Sequence, residues 1–463
     1  MTTTIDTDHL VIGAGAAGMS IVDELLSNGD GHVVLVERRH GPGGHWLDAY
    51  PFVRLHQPSA FYGVNSRPLG QDRIDTAGPN AGFYERASAP EIVDYYRRVL
   101  DERFLPSDRV TFLGMHDYRG LVDGHHLAVS NLTGQEVRIG VRRRLVDATY
   151  VESVIPSRHE PPFAVDPAAT LLTPNQLVDL GGDVDDFVVL GAGKTAMDTV
   201  NWLLDQAVDP DRIRWVRPRE GWFVDRTYTQ PLSLVRSMLS YQAAMFEAAA
   251  TVSSGLDLAH RMEERGMMFR LDPSIEPQVF RGATLSRLEL DALRQVERVV
   301  RLGKVEAVGP ERVQLAEGEI EVGPRTVHVD CTAPGLTGRT PRPIFASDRI
   351  RVQMTTLGVS PWSAATIGFV ETLDLTDDER NALCPAIPRT GLIADQLRMM
   401  SIGFSAEPAR RANPALVAWN GAARLNPGRA AADQGDDPEI VAAFETIMTN
   451  YEPALANLMA RVG

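Results

Sequence analysis

Six residues near the middle of the chain, the stretch GAGKTA from Gly191 to Ala196, admit two chemistries. Read from the Gly-Lys-Thr end, they resemble the loop that wraps a nucleoside triphosphate with backbone N–H groups. Read as Gly-x-Gly-x-x-Ala, they resemble the turn that sets a dinucleotide pyrophosphate on a helix N-terminus. The triphosphate loop needs a glycine five residues before Gly193, and that position is Val188, inside the apolar run Phe187–Leu190. A β-branched residue there belongs to a strand and cannot make a tight turn. The dinucleotide reading fits, because a strand enters Gly191 and the helical pattern TAMDTVNWLLDQ leaves it. Gly191 would then turn the chain, Gly193 would admit the pyrophosphate, and Ala196 would permit close helix–strand packing. Lys194 and Thr195 would lie beside the phosphates.

With 39 glycines in 463 residues, one such spacing is weak evidence, but the pattern occurs twice. HLVIGAGAAGMSIVDELL places Gly13, Gly15 and Gly18, with Ala16 and Ala17 between them, at a strand-to-helix turn. The next strand, HVVLVE, ends in Glu37, 19 residues after Gly18, and Arg38 follows it. A carboxylate at that place accepts hydrogen bonds from a ribose. In the second copy the corresponding strand, RIRWVRPR, ends in Arg217 and Arg219, with Arg217 lying 21 residues after Ala196. A guanidinium binds the 2′-phosphate that a carboxylate would repel. The first turn therefore reads as a site for FAD (or NAD) and the second as a site for NADPH.

Positioning these turns calls for an α/β fold with two Rossmann-like dinucleotide-binding domains, the NADPH domain inserted into the FAD domain. The first part of the FAD domain is expected over 5–165. It includes an amphipathic helix in PEIVDYYRRVLDERF and a hairpin in HHLAVSNLTGQEVRIGV. The NADPH domain is expected over 183–335, with a helical insertion at about 231–269. That insertion carries Met238, Met245, Phe246, Met262, Met267 and Met268, either as core or as a lid over an apolar substrate. Residues 336–463 return to the FAD domain and end in a helical segment that packs across the interface.

The 46 basic and 61 acidic residues give a net charge of −15, which argues against nucleic acid and anionic membranes as partners. No apolar run reaches the length of a membrane helix, and the start MTTTIDTDHL lacks the pattern of a signal peptide. A cytoplasmic protein, compatible with a homodimer, is expected. Cys331 and Cys384 are too few for a disulfide framework or a zinc site, and no metal is expected.

Together these features resemble the flavin-containing and Baeyer–Villiger monooxygenases, over most of the chain to about Leu336. Asp330 to Gly335 is similar to the Ala-Thr-Gly turn by which such chains return to the flavin domain. The most specific likeness follows Glu37, in GPGGHWLDAYPFVRLHQPSAFYGVNS. The family pattern of Gly-Gly-x-Trp, Tyr-Pro-Gly-x-Arg, Ser and Tyr is met by Gly43, Gly44, Trp46, Tyr50, Pro51, Arg54, Ser59 and Tyr62. The resemblance implies that Gly44, His45 and Trp46 lie against FAD and that the segment 50–62, with Arg54, borders the isoalloxazine ring. Three departures qualify it. Phe52 replaces a family glycine, and His56 stands where Baeyer–Villiger enzymes carry aspartate. Leu171–Pro174 also lacks their fingerprint histidine. The implied activity is thus insertion of one oxygen atom from O2 into a small organic substrate at the expense of NADPH, without the Baeyer–Villiger assignment. His56 and Gln57 are the candidates for contact with the reacting edge of the flavin. The His56 imidazole would titrate near neutral pH, or else serve to order its loop. An FAD/NADPH oxidoreductase without oxygenation, or a nucleotide-binding redox sensor, remains the alternative.

Overall fold

Apolar runs of five or so residues, buried on both faces, are what a parallel sheet demands, and two such sheets form here. The structure, a computed structural model, describes residues 3–462 apart from 152, 337 and 359. It is a mixed α/β fold with several parallel sheets. In the first unit β1 (Thr3–Ile12), β2 (Val33–Glu37) and β3 (Val110–Gly114) are parallel neighbours, and α1 (Ala16–Asn28) joins the first two. α2 (Ala89–Val99) starts at a capping box of Ser88 and Glu91 and buries Ile92, Tyr95, Tyr96 and Val99. The expected hairpin is β5 (His125–Ser130) with β6 (Glu136–Asp147), and β4 (His116–Val122) pairs with β5. β6 then runs parallel to β1.

The chain leaves this sheet through β7 (Ser153–Val154), followed by β8 (Ala164–Val165), β9 (Thr170–Leu172) and the short α3 (Pro174–Leu177). β10 (Asp186–Leu190) leads into α4 (Lys194–Asp205) and β11 (Ile213–Val216). β12 (Gly221–Asp225), β13 (Met268–Arg270) and β14 (Val279–Leu285) make a small sheet flanked by α5 (Val235–Ala249), α6 (Gly255–Glu264) and α7 (Arg287–Leu293). After β15 (Val299–Val300), a meander forms from β16 (Val305–Val308), β17 (Arg312–Leu315) and β18 (Gly318–Glu321). With β19 (Thr326–Asp330), the second parallel sheet has the order β15-β11-β10-β19-β9. β8 joins the meander and β9 joins this sheet, so by pairing both belong to the second unit, although the sequence ranges end the first unit at 165 and start the second at 183. β20 (Gly335–Leu336) lies antiparallel to β7, so the outgoing and returning chains cross side by side.

The returning chain adds β21 (Phe345–Ala346) and β22 (Arg349–Arg351) beside β6. α8 (Ser360–Glu371) lies on α1, where Gly368 is required because a Cβ would sit 2.9 Å from the Glu24 Cβ and 3.1 Å from the Ile21 Cα. α9 (Asp377–Leu383), α10 (Gln396–Ser405), α11 (Glu407–Ala412) and α12 (Pro414–Ala422) precede the long α13 (Pro438–Val462). α13 packs on α5 and α10. This decides the role of the methionine stripe: Met238, Met262 and Met268 are buried, and Phe246 stacks on Phe404 at 4.4 Å. The stripe is core, not a lid, because the C-terminal helices cover it. No described helix is long and apolar enough to cross a membrane.

Candidate active site

The first glycine turn is built so that side chains are excluded from it. Gly13 has φ +96°, and a Cβ on Gly18 would lie 1.9 Å from the Gly13 carbonyl oxygen. Gly15 caps α1 without a side-chain hydrogen bond, and no acidic residue occupies the first helical turn, so its N–H groups and dipole are left for an anion. Ala16 and Ala17 pack against the core, and Arg38 stays exposed. The Gly43–Gly44 segment lies on the turn: Gly43 N donates to the Ala14 carbonyl at 2.8 Å, and a Cβ on Gly44 would come within 2.9 Å of the Gly15 Cα. Trp46 donates to the Tyr62 hydroxyl at 2.6 Å. Glu37 is only 3% exposed, and its two oxygens accept from Ala14 N and Arg39 N. The carboxylate thus shapes the turn itself, a role its spacing did not suggest. Burial pushes the His45 imidazole down to about 4, so it is neutral at physiological pH.

The second turn repeats the design. Gly191 has φ +126°, and a Cβ there would lie 2.6 Å from the Cys331 carbonyl oxygen. Gly193 is the uncapped start of α4, and a Cβ on it would meet no atom within 4 Å. Ala196 is fully buried against the sheet, and Trp215 donates to the Gly191 carbonyl at 2.8 Å. Two sequence expectations need correction. Lys194 does not reach freely toward phosphates: its ammonium pairs with Asp198, one helical turn on, because this satisfies a nearly buried charge. Arg217 is 5% exposed, lies over the Trp215 ring and faces Glu220 at 3.2 Å. Glu220 is also held by Arg301, so Arg217 sits in a buried acid-centred cluster, and only Arg219 is exposed at this strand end. Thr195 is half-buried at the start of α4. Cys331 and Cys384 are buried free thiols.

The two units meet at an interface that sequence spacing did not disclose. The Tyr50 hydroxyl, from the first unit, donates to Asp198 at 2.8 Å. Close by, Glu289 on α7 accepts from Arg86 of the first unit at 3.2 Å and from Arg226 of the second at 2.5 Å. Burial alone would raise the Glu289 carboxyl, but Lys194, Arg226 and Arg86 outweigh it and hold it down at about 2. His56 lies among these charges, its carbonyl accepting from Thr284 at 2.7 Å. Burial, then Lys194, Arg86 and Arg226, drive its imidazole well below the usual histidine value. The expectation that it titrates near neutral pH is therefore corrected: it is a neutral donor and acceptor. Gln57 donates to the Gly358 carbonyl at 2.8 Å, and Arg54 to the Arg86 carbonyl at 3.0 Å. Three cations facing two carboxylates beside His56 leave an excess of positive charge where an anion would be stabilised. Of the residues missed, Asp198 was legible from its spacing to Lys194. Arg86, Arg226 and Glu289 carry no local signal.

No family model matches the chain. Its fold defines a class: over 97% of this chain and 99% of the other, it superposes on the open structure of cyclohexanone monooxygenase with a TM-score of 0.51 at 14% identity. Polycyclic ketone monooxygenase from Thermothelomyces thermophila gives 0.51 at 12% identity, covering 98% and 86% of the two chains. NADP-bound steroid monooxygenase gives 0.50 at 14%, covering 80% and 85%. The fold is that of these cyclohexanone, polycyclic ketone and steroid monooxygenases, and it extends beyond Leu336, where the sequence likeness fades. At the level of sequence, the chain belongs to the family of the uncharacterized protein Rv2000 of Mycobacterium tuberculosis, with which it is 41% identical over 424 residues, 91% of this chain and 78% of the relative. The uncharacterized protein Mb2023 of Mycobacterium bovis matches to the same extent.

Proposed function

We propose that the protein is an FAD-dependent, NADPH-consuming monooxygenase that uses O2 to oxygenate a small organic substrate. The observation carrying this reading is the pair of glycine turns whose helices begin without a side-chain cap or an acid. Other helices of the chain, α6, α7, α9 and α12 among them, begin on a capping Ser, Thr or Asn. α5 and α10 also begin without a side-chain cap or an acid in the first turn, on Leu234 and Asp395, but α1 and α4 start on a glycine turn directly after a parallel strand, which suits two pyrophosphates. The first turn, with Gly44 and Trp46 over it, fits FAD, and Gly193 opens onto free space that fits the second dinucleotide.

Bound FAD would supply the redox chemistry, taking a hydride from NADPH and giving electrons to O2. The chain's own contribution is positioning, exclusion of water and charge. Tyr50 and Asp198 hold the two units together beside the second turn. Neutral His56 keeps one ring N–H for donation and one nitrogen for acceptance, so it can hold a proton at the reacting edge without adding charge. Arg86, Arg226 and Lys194 favour any negative charge that forms nearby. Purified protein should hold one FAD per chain and consume O2 with NADPH, and labelled O2 should leave one labelled atom in the product. NADPH oxidation without O2 uptake or label, across a panel of small ketones, sulfides and amines, would replace this reading by the non-oxygenating oxidoreductase.

A further inference from the structure

A turn that buries its carbonyls must find donors for them, and the turn that carries Tyr62 finds them 360 residues along the chain. Past the short helical turn Ser59–Phe61 the backbone reverses at Gly63, where φ is +96° and a Cβ would lie 2.3 Å from the Tyr95 hydroxyl oxygen. Ala60 and Val64 are buried, and Tyr62 is half-buried. Arg424 serves the carbonyls of all three. Its Nη1 donates to Ala60 O at 2.8 Å, and its Nη2 to Tyr62 O at 2.6 Å and Val64 O at 2.8 Å. Its Nε donates to Val64 O at 3.1 Å. Ser20, on α1, donates to the Gly63 carbonyl at 2.9 Å. Burial lowers the Arg424 guanidinium, but an arginine stays charged, so these are charge-assisted bonds. The arginine is itself held on both sides. Trp419, on α12, stacks on Trp362 at 4.9 Å and on Phe369 at 4.8 Å, and donates to Glu24 of α1 at 2.9 Å. Leu425 is fully buried, and its N–H donates to Asn65 Oδ1 at 2.8 Å. What the turn presents is the Tyr62 hydroxyl, which accepts from the Trp46 indole at 2.6 Å. Trp46 follows Gly44, whose backbone lies against Gly15 of the first glycine turn.

We infer that Arg424 is a positioning residue of the first dinucleotide site: by fixing the carbonyls of residues 60–64 it sets the Tyr62 hydroxyl, which orients the Trp46 indole beside the FAD turn. This rests on the FAD part of the reading above. The segment beyond Leu336, where the sequence likeness fades, thus takes part in retaining the flavin through α12 and the arginine that follows it.

The test is release of FAD from the loaded protein, read as free flavin after ultrafiltration across a dilution series. It compares the parent with Arg424→Lys, Arg424→Gln, Tyr62→Phe and the double variant Arg424→Lys/Tyr62→Phe. Each Arg424 substitution should weaken FAD binding by about 2- to 30-fold, the range for a residue that acts on a site through others. Lysine keeps the charge but brings one ammonium to three carbonyls, and it remains informative where the glutamine variant fails to fold. Tyr62→Phe removes the acceptor for Trp46 and should weaken FAD binding as well. The double variant should lose less than the product of the two single losses, because both act through the same indole. Leu383→Ala, a cavity on α9 in the same hydrophobic core, is the destabilised control: its thermal midpoint should fall while FAD is retained. Parent-like FAD retention in both Arg424 variants, or losses that multiply in full with Tyr62→Phe, refutes the positioning role while the FAD reading stands. FAD release from Leu383→Ala that matches Arg424→Lys at an equal fall in midpoint also refutes it, since the loss then tracks folding alone. A parent that takes up no FAD overturns the FAD reading and this role with it.

Discussion

Replacing Gly193 by alanine separates a ligand's needs from the protein's own. Gly193 has φ −84°, a backbone conformation that alanine adopts without strain, and a Cβ there would touch no atom within 4 Å. Alanine is a poorer helix cap than glycine by about 0.5–1 kcal/mol. It also restricts the unfolded chain, which contributes about 0.4–1 kcal/mol in the opposite direction. The two effects cancel to within the error of a melting curve, so the thermal midpoint should be unchanged. The added methyl does fill the space that a pyrophosphate needs at the start of α4. Overpacking by one such group costs about 1–3 kcal/mol, which is about 5- to 150-fold in affinity. NADPH titration of the FAD-loaded protein should show that loss, while FAD content stays at the parent level. Gly191→Ala is the contrasting case. Its φ of +126° and a Cβ 2.6 Å from the Cys331 oxygen make it destabilising with or without ligand. Parent-like NADPH affinity in a folded Gly193→Ala protein would refute the assignment of this turn to the dinucleotide.

Further outcomes follow from His56, Glu289 and Met262. His56 is held neutral, so kcat/KM should show no inflection near pH 6.5 that His56→Asn removes; such an inflection would contradict the charge assignment. Because its folded value lies below its unfolded value, His56 leaves stability untouched above about pH 6.5 and subtracts from it as pH falls below that point, a loss that urea titrations of the parent should show and His56→Asn should lessen. Glu289→Ala leaves Arg86 and Arg226 buried without their shared carboxylate and should cost about 3–5 kcal/mol in urea unfolding; a change under about 1 kcal/mol would mean the triad is not a structural joint. Met262→Ala should cost about 2–5 kcal/mol of stability as a core residue, whereas a lid residue would alter KM and leave stability alone.

What the sequence by itself determined is what contiguous residues can encode. Two apolar strands, two glycine spacings and two following helices are local, because the turn's geometry is set by sterics between residues a few positions apart. Gly18 must be glycine to pass the Gly13 carbonyl, and that requirement is written in six consecutive letters. The hairpin, the amphipathic α2 and the order of the two units were legible for the same reason. The tertiary structure decided how charges behave. Tyr50 meets Asp198 across 148 residues, and Arg86 meets Glu289 across 203. No pattern in the chain marks such pairs. An arginine after a strand reads alike whether it faces solvent, as Arg219 does, or a buried glutamate, as Arg217 does. His56 looks like an ordinary imidazole until burial and three neighbouring cations fix it as neutral. The methionine stripe is apolar in either role, and only the C-terminal helices α10 and α13 packed over it made it core. An ionisable group's state depends on the dielectric and the charges around it, and those are assembled by folding.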